Sequence, residues 1–306
     1  MHEGSQKAIV AAFVANMGIA VAKFAGFLAT GASSMLAEAV HSAADSTNQG
    51  LLLLGGSRSR RPATPEHPFG HGRERYFWAF VVALVIFSMG SLFALFEGQE
   101  KLRHPHRVDS AGWAIAILLV AIVFEGLSLR TAVGESRPAK GDRTWWEFVR
   151  RSKSPELPVV LLEDSGALLG LGFALAGVGL AELTGNARFD AAGSLAIGML
   201  LGAIAIVLVV EMKSLLIGES ASPAVVDRIC GAVTDDRRIE RIVHMRTEHL
   251  GPDELLVAVK IVVDGSLSLH EVADLIDAAE ARVRAAVPVA RVIYVEPDVD
   301  RTPVTG

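Results

Sequence analysis

Apolar residues fill the first two thirds of the chain in blocks too long for the helices of a soluble core. Six blocks, at 8–29, 32–56, 76–100, 112–134, 158–183 and 190–214, reach the roughly 20 residues that a helix needs to cross a bilayer. The links between blocks one and two and between blocks five and six are short, and the latter holds the turn signal Gly185-Asn186. Each of these pairs is expected as an antiparallel hairpin. After residue 214 the pattern changes to that of a soluble domain. SPAVVDRICGAV and HEVADLIDAAEARVRAAV have the helical period, RIVHMRTEHL and ELLVAVKIVVD alternate like strands around a Gly-Pro turn, and RVIYVEP is a third strand. The order αββαβ predicts a small α+β domain with its helices on one face of the sheet. The closing DVDRTPVTG is expected as a frayed tail.

Composition supports this division. The 306 residues are 51% hydrophobic with mean hydropathy +0.40, which points to a membrane protein with a soluble appendage. A single cysteine, Cys230, excludes a disulfide framework and a multi-cysteine zinc site. Residues 1–218 carry 19 Lys and Arg against 18 Asp and Glu, and 219–306 carry 10 against 16. That acidic soluble part argues against a nucleic-acid partner, because phosphate binding needs a basic face. Links 57–75 and 135–157 hold five and six Lys/Arg, against four in the links on the opposite side. This bias predicts that both termini are cytoplasmic. The expected fold is therefore a polytopic α-helical membrane protein, a six-helix domain over 1–214 followed by a cytoplasmic α+β domain over 215–306. MHEGSQKAIVAAF lacks a basic leader and cleavage site, so block one is expected as a retained helix.

Chemistry concentrates in the second block. Glu38, His41, Asp45 and Asn48 recur at steps of three, four and three, one polar stripe down one helix face. Ionisable groups at bilayer depth cost at least a few kcal/mol each, so they mark a functional site. His41 and Asp45, four apart, can give nitrogen and oxygen ligands to one divalent cation. A second helix must complete the shell, and block five offers Glu163 and Asp164. Adjacent helical residues point about 100° apart, so one of the two is expected to face the same point as the pair. Mixed N and O ligands favour Zn²⁺ and leave Mn²⁺, Fe²⁺, Co²⁺, Ni²⁺ and Cd²⁺ open. Bland readings suit the rest: the glycines of blocks five and six allow close helix packing, and TWWEFVRRSK is an interfacial anchor. Lys23, Glu97, Glu125 and Glu211 sit where they reach an interface.

GASSMLAEAVHSAADSTNQ, HPFGHGRERYFWAF before block three and FEGQEKL at its end, on a six-helix body with an αββαβ appendage, resemble the cation diffusion facilitators. The resemblance covers nearly the whole chain. It implies exchange of cytoplasmic divalent metal for protons by a homodimer, with the transport site at His41, Asp45 and Asp164. The family's usual fourth ligand falls at Val160, which cannot ligate, so Asn48, Glu163 and Glu38 are accessory candidates. His67 and His71 match a secondary metal site, with Thr64 where an Asp is expected; the alternative is a structural turn. In the cytoplasmic domain His244, His270 and Glu296 match metal-binding positions, with His249 a loose candidate, while other usual His positions are Val259 or Lys260 and Tyr294. A mainly dimerising role is expected there.

The expected function is secondary efflux of a divalent cation, Zn²⁺ foremost, against H⁺, by a homodimer in the lipid bilayer of a bacterial cell membrane. There is no GxxxxGK[ST] loop, so no nucleotide is expected as partner. HEVAD at 270–274 lacks the second His of a zinc protease motif, so no enzyme activity is expected. A non-transporting metal sensor or scaffold is the alternative, raised by Val160.

Overall fold

The computed structural model describes residues 33–105 and 111–299 without interruption, and scattered positions between 13 and 28. The long apolar blocks form α1 (Ser33–Arg58), α2 (Glu74–Arg103) and α3 (Ala111–Lys140). A short α4 (Trp145–Arg151) precedes α5 (Glu156–Thr184) and α6 (Arg188–Ile217). Among the described residues four helices, α2, α3, α5 and α6, are long and apolar enough to cross a bilayer. The 26-residue α1 has comparable length and carries the polar stripe. Block one, at 8–29, lies largely outside the described residues, as does Lys23. α3 runs to Lys140 rather than ending at 134, because hydropathy marks where lipid would end and not where the helix does. α2 contains a π-helical stretch at Val82–Phe87.

Chain compactness defines two units, one holding the residues up to Arg58 with Arg75–Lys213, the other Ser59–Glu74 with Ser214 onward. In the first, glycines set the helix spacing. A Cβ on Gly98 or Gly198 would come within 2.8 Å of the backbone nitrogen of Leu195 or Leu95 respectively, so α2 and α6 meet backbone to backbone. On α5 and α6, Gly177 and Gly193 would meet the carbonyls of Phe189 and Phe173 at 3.0 and 2.9 Å. Small residues at such crossings let dispersion contacts hold helices together without a hydrophobic drive. α4 starts with a capping box between Thr144 and Glu147 and buries Phe148 and Val149 against Leu129 and Val133 of α3, Leu161 of α5 and Val207 of α6. Its Trp145 and Trp146 stay exposed, so the segment both docks on the helices and presents aromatic rings outward.

The second unit contains α7 (Pro223–Val233), β1 (Ile239–Gly251), β2 (Glu254–Val263), α8 (Leu269–Ala286) and β3 (Ala290–Asp298). β1 and β2 pair antiparallel across a tight turn, and β2 and β3 pair parallel because α8 carries the chain back. Alternate residues Leu255, Val257, Val259 and Ile261 of β2 are buried beneath Ile229 and Val233 of α7 and the i,i+4 stripe Leu275, Ala279 and Val283 of α8. The helices thus cover one face. Linker 59–74 packs on the same unit: Gly72 lies so near the hairpin end that a Cβ would stand 2.7 Å from the Leu250 carbonyl oxygen. Arg73 pairs with Glu248, and Gly218, at φ +120°, leaves the space that the Glu248 carboxylate fills.

Three carboxylates of this unit are held below their ordinary range. The Arg238 guanidinium bonds Asp236, the Ser266 amide and hydroxyl bond Asp264, and the Ser268 hydroxyl and amide cap α8 through Glu271. A folded pKa below the unfolded one adds stability above the unfolded value, which is lost as pH falls through the folded value. The thermal unfolding midpoint is therefore expected to hold from pH 7 to about pH 5 and to drop below about pH 4, as measured by circular dichroism. A midpoint unchanged at about pH 3 would refute this.

Candidate functional site

α1 places Glu38, His41, Asp45 and Asn48 on one helix. The side chains of Glu38, His41 and Asp45 lie outside the described residues; Asn48 is described, and it is 3% exposed. Opposite stand the acids of α5, Asp164 buried and Glu163 half-buried. They engage different helices. Asn48 Nδ2 donates to Glu163 Oε1 at 2.8 Å, and Ser128 Oγ of α3 donates to Asp164 Oδ2 at 2.9 Å. Glu163 is therefore tied to α1 and Asp164 to α3. Val160 sits one turn before them on α5. Asn48 Oδ1 is buried without a hydrogen-bond partner among the described residues. Among those residues no three His, Cys, Asp or Glu side chains gather at one point.

The amino end of α5 is fixed by charge. Arg75 and Glu156, 5% and 4% exposed, form a two-point pair, Nε to Oε1 at 2.5 Å and Nη2 to Oε2 at 2.9 Å. Tyr76 Oη donates to the Lys153 carbonyl at 3.1 Å. Glu211, near the end of its block, accepts from Arg150 Nε of the link 135–157 at 2.9 Å. At the other end of the helices Lys101 joins Glu97 and Asp190, each at 3.1 Å. Arg75, Glu156 and Ser128 were not singled out from the sequence. Ser128 carries a signal all the same, as a hydroxyl within the apolar block 112–134.

In linker 59–74 the rings of His67 and His71 stand 4.7 Å apart, edge to face. His71 Nδ1 is buried and unpaired among the described residues. Thr64 takes part in the turn, its Oγ1 accepting from the His67 amide at 3.1 Å while Thr64 and His67 exchange backbone bonds at 3.0 and 3.2 Å. The turn therefore closes on itself, with one imidazole nitrogen buried inside it.

In the three-stranded sheet His244, Lys260 and Glu296 lie side by side across β1, β2 and β3. Lys260 Nζ bridges Glu296 at 2.8 Å and Asp298 at 3.2 Å, and these acids raise the lysine pKa. The ammonium neutralises the carboxylate side of the expected metal position. His270 is exposed at the start of α8 and His249 is buried in β1.

A cation efflux transmembrane domain matches residues 9–217, and a cation efflux protein cytoplasmic domain matches 221–298. The chain belongs to the cation diffusion facilitator family. As a cation diffusion facilitator it is a multi-pass membrane protein and not an enzyme. It is 35% identical over 266 residues to the mitochondrial proton-coupled zinc antiporter SLC30A9 of Mus musculus, covering 86% of this chain and 47% of that protein. Metal tolerance protein C4 of Arabidopsis thaliana is 29% identical, covering 86% and 58%. Magnetosome protein MamB of a Magnetospira strain is 22% identical, covering 93% and 92%. The chain thus spans about half the length of the SLC30A9 proteins it matches. Among solved structures a MamM-CTD chain aligns at 22% identity and TM-score 0.24, covering 26% of this facilitator and 94% of that chain.

Proposed function

We propose that this facilitator is a secondary exchanger that exports a divalent cation, Zn²⁺ foremost, from the cytoplasm in return for H⁺. It works as a homodimer in a bacterial cell membrane with both termini cytoplasmic. The observation that supports this best is a buried carboxylate, Asp164, well inside the apolar α5 and held by a hydroxyl of α3. A carboxylate is retained at such depth for a cation or a proton. His41 and Asp45 of α1 are the other ligands. A ligand must be deprotonated to bind metal, so arrival of the cation releases protons and their return releases the cation. That competition couples the two fluxes without a nucleotide. The likeness to a protein named a proton-coupled zinc antiporter favours Zn²⁺ and H⁺.

The test is metal uptake into sealed proteoliposomes under an imposed pH gradient. The intact protein is expected to accumulate Zn²⁺ when the gradient is present and to stop when it is collapsed, and Asp45→Ala to remove the flux. Well-folded protein that moves neither Zn²⁺ nor Mn²⁺ in either direction would overturn the exchanger reading in favour of the sensor.

A further inference from the structure

Position 160 leaves the transport shell one protein ligand short, and the geometry of α5 points to the group that replaces it. On a helix with 3.6 residues per turn, Asp164 lies about 40° to one side of the Val160 direction and Glu163 about 60° to the other. Both can reach the sector that a side chain at 160 would fill, and glutamate has the longer reach. Glu163 reaches across to α1, where it meets Asn48 at 2.8 Å. Asn48 is three residues past Asp45 on the same face, about 4.5 Å further toward linker 59–74. Its Oδ1 belongs to the same amide as the nitrogen that touches Glu163. That Oδ1 is buried with no donor among the described residues. A buried acceptor without a donor costs about 1–3 kcal/mol, and a cation would relieve it.

We propose that Glu163 and Asn48 form an oxygen subsite for the divalent cation beside Asp164, with Glu163 taking the place of the ligand absent at Val160. The assignment rests on the exchanger reading above. With His41 as the one nitrogen ligand and the rest of the shell oxygen, the set is harder than one with two imidazoles. It favours Mn²⁺ relative to Zn²⁺ more than a two-histidine set does. A purely structural interhelical bond is the competing account, and Glu163→Gln separates the two. The glutamine oxygen still accepts from Asn48 while the charge is lost.

In proteoliposome flux assays Glu163→Gln is expected to raise KM for Zn²⁺ at least about tenfold, with kcat within about threefold, and to raise KM for Mn²⁺ further. Glu163→Asp, which keeps a carboxylate, is expected to recover most of the affinity. Should Glu163→Gln not accumulate, Asn48→Ala is read in its place, with the same rise in KM expected. Unchanged KM for both metals in a folded Glu163→Gln protein, with wild-type flux intact, overturns this assignment alone. Absence of flux in the wild-type protein overturns the exchanger reading on which it stands.

Discussion

Arg75→Ala is expected to destabilise the first unit by about 3–5 kcal/mol, because removing one partner of a buried pair leaves the other as an uncompensated buried charge. Glu156 is 4% exposed and takes two bonds from the guanidinium, so its desolvation is offset at this one contact. Glu156→Ala should also destabilise the unit, because the buried guanidinium loses its two-point carboxylate partner. The double replacement Arg75→Met with Glu156→Leu is the informative control. It removes both charges and fills the space with apolar atoms, so most of the lost stability should return, as it often does when a whole buried pair is replaced. Thermal unfolding of the detergent-solubilised protein measures all three. Single variants as stable as the wild type would mean that water reaches the pair and that it does not fix the amino end of α5.

The helices were legible because a bilayer demands long apolar runs, and the sheet domain because strand and helix periods differ. β2 reads as alternation, with Leu255, Val257, Val259 and Ile261 inward, and α8 as the stripe Leu275, Ala279 and Val283. Candidate site residues such as Asp164 stood out because charge within an apolar block is conspicuous. Their partners were not legible. Whether Glu163 or Asp164 turns toward α1 depends on how α5 rotates against its neighbours, and glycines such as Gly177 fix that through backbone contacts that carry no periodic signal. Ser128 is too common a residue type to be marked by sequence alone. Arg75 lies in a basic link, where positive charge is already accounted for by topology, so nothing in one sequence sets it apart as buried. Lys260 likewise reads as a solvated residue on the outer face of a strand until its register places it between His244 and Glu296.

Asp164→Asn should abolish the exchange, reducing initial Zn²⁺ flux by at least about 100-fold, equivalent to about 2.7 kcal/mol or more in the barrier. Asparagine has nearly the shape of aspartate and can still accept from Ser128 Oγ, so the packing of α5 against α3 is kept while the charge is lost. Ser128→Ala makes the converse change. It keeps the carboxylate and removes a hydrogen bond to a charged group, worth about 1.5–3 kcal/mol, part of which water can restore. Its flux should fall by about tenfold or less. The order of the two effects carries the argument. If Asp164 were held only as a packing partner for α3, deleting the hydroxyl would be at least as harmful as neutralising the acid. If the acid meets the cation, neutralising it must be far worse, because the charge that binds the metal is lost while the packing is kept. Initial rates in proteoliposomes, with unfolding midpoints measured on the same preparations, decide between the two orders. An Asp164→Asn protein that exchanges Zn²⁺ at the wild-type rate would remove Asp164 from the site.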